Sequence, residues 1–149
     1  MHNDSKSIDD PFDLRRFVQA QEGAYESALS ELKLGQKRSH WMWYIFPQID
    51  GLGRSAMAKH YAIKNVEEAR GYVNHPVIGA RLLECTETVL GIEGRSVAEI
   101  FGFPDDMKFK SSMTLFEYIS EPDSIFALAL DKFFSGDRDD KTLQLLEAI

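Results

Sequence analysis

Apolar residues recur along this chain at spacings of three and four, and the recurrence restarts after each Gly, Pro or capping signal, which predicts helices throughout. The first stripe runs through Leu14, Phe17, Val18, Gln21, Tyr25, Ala28, Leu29 and Leu32, with Arg15, Arg16 and Gln19 off it. Asp10 with Pro11 behind it starts that helix, a capping carboxylate followed by proline at the first helical position. Gly23 bends or divides it, and Gly35 is placed to end it in a left-handed conformation. Arg54 to Ile63 reads as a helix carrying Met57, Ala58 and Tyr61. Asn65 with Glu68, and Ser96 with Glu99, have the form of capping boxes and open helices to about Asn74 and through Phe101.

His75-Pro76 breaks the chain before a longer helix of Val77, Leu82, Leu83, Thr86, Val89 and Leu90 that ends near Gly91. Lys108 to Ile119 is helical, with Phe109, Met113, Leu115 and Phe116 inward. Another helix holds Ile125, Phe126, Leu128, Ala129, Phe133 and Phe134, with Gly136 as its stop. The last begins near Asp139 and contains Leu143, Leu145 and Leu146. The expected architecture is all-α: a single compact domain of about eight short helices over residues 10–149, after a disordered tail of residues 1–9.

The periodicity fails in one stretch. Trp41, Met42, Trp43, Tyr44, Ile45 and Phe46 are six large apolar residues in a row, which suits a buried strand or a buried helix. A short helix from about Ser39 is the better reading, because no convincing partner strand is present elsewhere. Trp41, Met42, Ile45 and Phe46 are assigned to the core. A helix buries a limited arc, so the remainder should line a groove or meet a partner. Trp43 and Tyr44, flat rings with polar tips, are the expected pocket wall, on which a purine or nicotinamide ring would stack.

Composition narrows the picture. The chain has 149 residues, 44% of them hydrophobic, enough for one cored domain and too apolar for a disordered one. No apolar run approaches the roughly 20 residues of a membrane helix, and Met1 to Asp10 lacks the apolar centre of a signal peptide. The single Cys85 supports neither a disulfide framework nor a metal cluster. A cytoplasmic protein is expected.

The net charge of −7 is uneven: Lys33 to Lys64 carries +5, and the rest −12. An acidic protein repels nucleic-acid backbones, so non-specific binding to them is not expected. A basic segment in an acidic body suits a small anion, although solvated surface lysines are the plainer explanation.

Candidate chemistry gathers beside the aromatic run. His40 is placed as an acid–base group, against a plainer role as a histidine bonded to a carbonyl near the helix start. Lys37, Arg38 and Arg54 are anion contacts, Arg54 because it opens a helix after a glycine loop. Gln48 can read a base or sugar edge. Lys110, Ser112 and Thr114 form a second group, a hydroxyl-rich helix start whose plainer reading is a cap by Ser111 or Ser112. No HExxH pattern or cysteine–histidine array is present, so no metal or cofactor is expected.

The expectation is a nucleotide-like anion held between Lys37–Arg54 and Lys110–Thr114, with hydrolysis or group transfer through His40 as the reaction of a catalytic site. The alternative is a non-enzymatic interaction module or homodimer that uses the leftover aromatic surface.

The string Ser39-His40-Trp41-Met42-Trp43-Tyr44-Ile45-Phe46-Pro47-Gln48, followed by Gly51-Leu52-Gly53, resembles a bacterial family known as domain of unknown function eighteen-ten. Arg16-Phe17-Val18, Gln21, His75-Pro76-Val77-Ile78-Gly79, Arg81-Leu82, Ile100-Phe101-Gly102 and Lys110 to Phe116 extend the resemblance over nearly the whole chain. It implies a mainly helical single domain and supplies no mechanism. Some members carry the label calpastatin, but that inhibitor belongs to a disordered class, whereas this composition builds a globular core.

Overall fold

The computed structural model describes residues 10–148, so the expected tail of residues 1–9 lies outside the described residues. The described residues form ten helices where the sequence suggested about eight: α1 (Arg15–Glu22), α2 (Tyr25–Lys33), α3 (Met42–Ile45), α4 (Ala56–His60), α5 (Val66–Asn74), α6 (Ile78–Leu90), α7 (Val97–Phe101), α8 (Asp105–Tyr118), α9 (Ile125–Phe134) and α10 (Asp140–Ala148). An isolated parallel bridge joins Ile49 to Ile63.

Two helices organise the rest. α8 packs against α5, α7, α9 and α10, while α6 packs against α2, α3, α5 and α9. Where neighbours enclose it, along its second half, α8 has no polar face to spare. Phe109 and all six residues from Ser111 to Phe116 are accordingly buried. Phe109 anchors a ring cluster, T-shaped to Phe46 at 5.1 Å and stacked on Phe101 at 4.7 Å. Full burial of each such side chain contributes about 1.5–3 kcal/mol.

Helix ends follow local chemistry. Gly23 divides the first stripe into α1 and α2, and Gly35 sits at φ +77° after α2. Ser96 and Glu99 make a complete capping box. Asn65 accepts the amide of Glu68 at 2.8 Å, but the Glu68 carboxylate turns to Lys64 N and Arg16, leaving that box half made. Gly79 lies where α6 crosses the end of α5, so close that an added Cβ would stand 2.1 Å from the Val73 carbonyl oxygen.

Several boundaries differ from expectation, each for an identifiable reason. Asp10 and Pro11 lie in a turn ahead of the first helix and are not its N-cap and first helical residue; Asp10 accepts the amides of Leu14 and Arg15, and α1 begins at Arg15. The aromatic helix begins at Met42, not Ser39, because Glu31 captures the amides of Arg38 and Ser39 and holds that stretch outside a helix. α4 stops at His60, since the chain beyond turns into the Ile49–Ile63 bridge. α8 starts three residues before Lys108, which puts Ser111 and Ser112 in mid-helix and removes their role as caps. Met57, Val77, Leu83 and Leu128 face outward rather than into the core.

Candidate functional site

The aromatic run divides between core and half-buried positions as expected. Trp41, Met42, Ile45 and Phe46 are buried, while Trp43 and Tyr44 are half-buried. Burial would otherwise strand the Trp41 indole N–H, and Glu31 accepts it at 2.8 Å. The Tyr44 carbonyl is held from beneath by Gln21 Nε2 at 2.8 Å and by the Tyr72 hydroxyl at 3.1 Å. Both polar groups are buried, so the network fixes α3 against α1 and α5.

Each half-buried ring already has a neighbour. The ammonium of Lys108 lies over the Trp43 ring at 5.5 Å. Tyr44 packs on Tyr61 at 5.4 Å, and Tyr61 meets the His60 ring edge-on at 4.6 Å. Burial, with Tyr61 alongside, raises the pKa of the Tyr44 hydroxyl. The surplus aromatic surface therefore runs from α3 into the end of α4 and stops at His60.

His60 lines a cleft of about 650 Å³ whose other walls are Pro11, Phe12, Asp13, Arg16, Lys59, Lys64, Asn65 and Glu68. The arginine frames it. Arg16 Nε donates to the His60 carbonyl at 2.8 Å, and Nη1 donates to the carbonyls of Phe12 and Asp13 at 2.7 and 2.8 Å. Nη2 donates to the Ala62 carbonyl at 2.9 Å and to Glu68 Oε2 at 2.6 Å. A guanidinium has five N–H donors, and all five are engaged. Arg16 is thus a clamp for the cleft, not an arm for a ligand.

With Glu68 neutralised by Arg16, the charged side chains left on the walls are Lys59 and Lys64 against Asp13, with the His60 imidazole between them in sequence. Lys59 and Lys64 are exposed, so they can reach a solute. Asn65 uses its side-chain oxygen to cap α5, which leaves its amide N–H groups as donors. The half-buried Phe12 supplies a flat apolar wall.

The residues singled out from sequence are not brought together here. Lys37 is half-buried beside α8, ion-paired with Asp105 at 2.8 Å and 5.1 Å from the Trp41 ring. Arg38, His40 and Arg54 are exposed and line none of the walls of this cleft. Tyr44 is linked to the cleft through Tyr61 but does not line it, and Trp43 lies under Lys108. Gln48 is half-buried, its carbonyl accepting Ile63 N at 2.8 Å. Lys110 stands 5.7 Å from the Phe134 ring. Ser112 and Thr114 are fully buried, and Thr114 Oγ1 donates to Lys110 O while accepting Asp139 N. Ser112 Oγ has no hydrogen-bond partner among the described residues.

What sequence reasoning passed over is the pairing of Arg16 with the segment from Lys59 to Glu68. Arg16 lies off the apolar stripe but between its core positions Leu14 and Phe17, and that position was the available signal. Elsewhere, burial pushes the Cys85 thiol up to about 12, where it is no nucleophile. No group of three or more His, Cys, Asp and Glu side chains gathers for a metal among the described residues.

Compared with known proteins, residues 11–146 match the family described as "Protein of unknown function (DUF1810)". No curated protein matches. Among solved structures, the conserved hypothetical protein Rv1873 from Mycobacterium tuberculosis is similar, with a TM-score of 0.91 and 49% identity over 93% of this chain and 99% of that one.

Proposed function

Because the chain belongs to the DUF1810 family of proteins of unknown function, which hands down no reaction, we propose from the geometry that it binds a small anion in the cleft lined by Lys59, His60, Lys64 and Asn65. The observation that carries this reading is the five-fold engagement of Arg16. It fixes the cleft walls and neutralises Glu68, so two exposed lysines against the Asp13 carboxylate leave the walls net positive to an entering solute. Any acid–base role in such a site falls to His60 in place of His40.

Titration with inorganic phosphate and pyrophosphate, followed by backbone amide shifts, tests it. Saturable shifts should centre on residues 59–65 and weaken at least tenfold in the Lys59→Ala/Lys64→Ala double variant. Absence of saturable shifts at millimolar concentrations, or shifts indifferent to the variant, would remove the reading.

One observation favours a second reading, an apolar docking face. Phe103 is 83% exposed and Met107 lies one turn further along at 43%. Light scattering separates it from the first: a dimer that dissociates on Phe103→Ser supports it, and a monomer at high concentration excludes self-association.

A further inference from the structure

Two features of the cleft lie on different edges of the same guanidinium. The Phe12 carbonyl accepts from Nη1 and the His60 carbonyl from Nε, so Arg16 fixes the backbone that carries a flat ring against the backbone that carries the imidazole. Lys59 and Lys64 line the same cleft together with Asp13, and Lys64 Nζ donates to the Lys59 carbonyl at 3.3 Å. Phe12 is itself steadied by Gly71, where an added Cβ would meet ring atoms at 3.3 and 3.5 Å. The glycine lets the ring settle onto α5 and stay in place as a wall.

Two exposed lysines, an imidazole and an aromatic ring on the walls of one cleft of about 650 Å³ match a ligand that carries both a phosphoryl group and a flat ring. We infer that the anion taken here is a mononucleotide: a phosphomonoester whose base lies against Phe12 while its phosphoryl group meets Lys59, His60 and Lys64. Trp43 and Tyr44, the rings that first suggest stacking in the sequence, are occupied by Lys108 and Tyr61. Phe12 is the ring that lines the cleft. Asn65 contributes amide donors beside the phosphoryl end, where α5 begins.

This inference rests on the anion-binding reading, and a ligand series separates the two. Adenosine 5′-monophosphate, ribose 5-phosphate, inorganic phosphate and adenosine are titrated by calorimetry into the full chain. Stacking on one ring should make the nucleotide bind about ten- to a hundred-fold more tightly than ribose 5-phosphate. Phe12→Leu should abolish that advantage and leave ribose 5-phosphate affinity unchanged, with circular dichroism confirming the fold.

Equal affinities for the nucleotide and ribose 5-phosphate would overturn the mononucleotide assignment and leave anion binding standing. Binding of none of the phosphates would overturn both. Adenosine binding as tightly as the nucleotide would remove the phosphoryl contacts. If Phe12→Leu does not fold, the comparison of the four ligands on the unaltered chain still decides.

Discussion

The indole N–H of Trp41 donates to Glu31 Oε1 at 2.8 Å, and the same carboxylate receives the amides of Arg38 and Ser39 and the Ser39 hydroxyl. Burial by itself would raise the Glu31 pKa. The four hydrogen bonds, led by the Ser39 hydroxyl, outweigh it and hold the group at about 2, below an ordinary value of 4.5. A folded-state pKa below the unfolded one means stability that is present above pH 4.5 and lost as pH falls towards 2. Glu31→Gln should remove about 2 kcal/mol at pH 7, and urea titrations between pH 5 and 2.5 should show a shallower acid decline than the parent. An unchanged decline would show that Glu31 is not an acid-labile lock.

Arg16 and Glu68 form an ion pair at 2.6 Å, with side chains 10% and 2% exposed. Removing one member of a buried pair leaves the other charge unmatched, which costs about 3–5 kcal/mol. Lysine keeps the charge, yet it has three donors for the five acceptors arranged around the guanidinium. Arg16→Lys should therefore cost at least about 2 kcal/mol in chemical denaturation, with Arg16→Ala worse. Near-neutral behaviour of Arg16→Lys would mean that charge alone, without the fork geometry, holds the cleft walls.

Glycine effects should split by environment. At Gly79 a methyl group would meet the Val73 and Tyr72 carbonyl oxygens at 2.1 and 2.9 Å, and backbone cannot yield without parting α5 from α6. Gly79→Ala should cost about 3 kcal/mol or more. Gly23 has φ −95° and nothing within 4 Å of an added Cβ, so Gly23→Ala should be neutral or stabilise by up to about 1 kcal/mol. Thermal melts of both variants against the parent check the contrast.

The fold was legible where local chemistry and tertiary packing agree. Trp41, Met42, Ile45 and Phe46 are core as read, and Ser96 with Glu99 caps its helix with no outside help. Reading failed where one side chain draws in distant backbone. Glu31 delays α3 by taking amides seven and eight residues away, and Arg16 reaches carbonyls 44 and 46 residues on. Periodicity reports on one helix at a time, so it has no means of seeing either bond. The charge count covered the stretch holding Lys59 and Lys64, but nearness to the aromatic run and to the glycine loop singled out Lys37, Arg38 and Arg54 in their place. What separates these cations is which wall the chain builds beneath each.

Ser112 gives the last test, because its sequence role and its structural position disagree. A ligand-contacting hydroxyl should be reachable, yet Ser112 is fully buried in α8, and its Oγ has no partner among the described residues. An unsatisfied buried hydroxyl carries its desolvation cost without return, so replacing it by a methyl-sized group should be neutral or stabilising, by up to about 1 kcal/mol. Alanine also has the better helix propensity, which adds a few tenths of a kcal/mol in the same direction. Ser112→Ala should thus raise or leave unchanged the melting temperature, and leave phosphate-induced amide shifts at residues 59–65 as they are in the parent. A destabilisation above about 1 kcal/mol would show that the hydroxyl is satisfied after all. Loss of phosphate binding with the fold intact would return α8 to the ligand site.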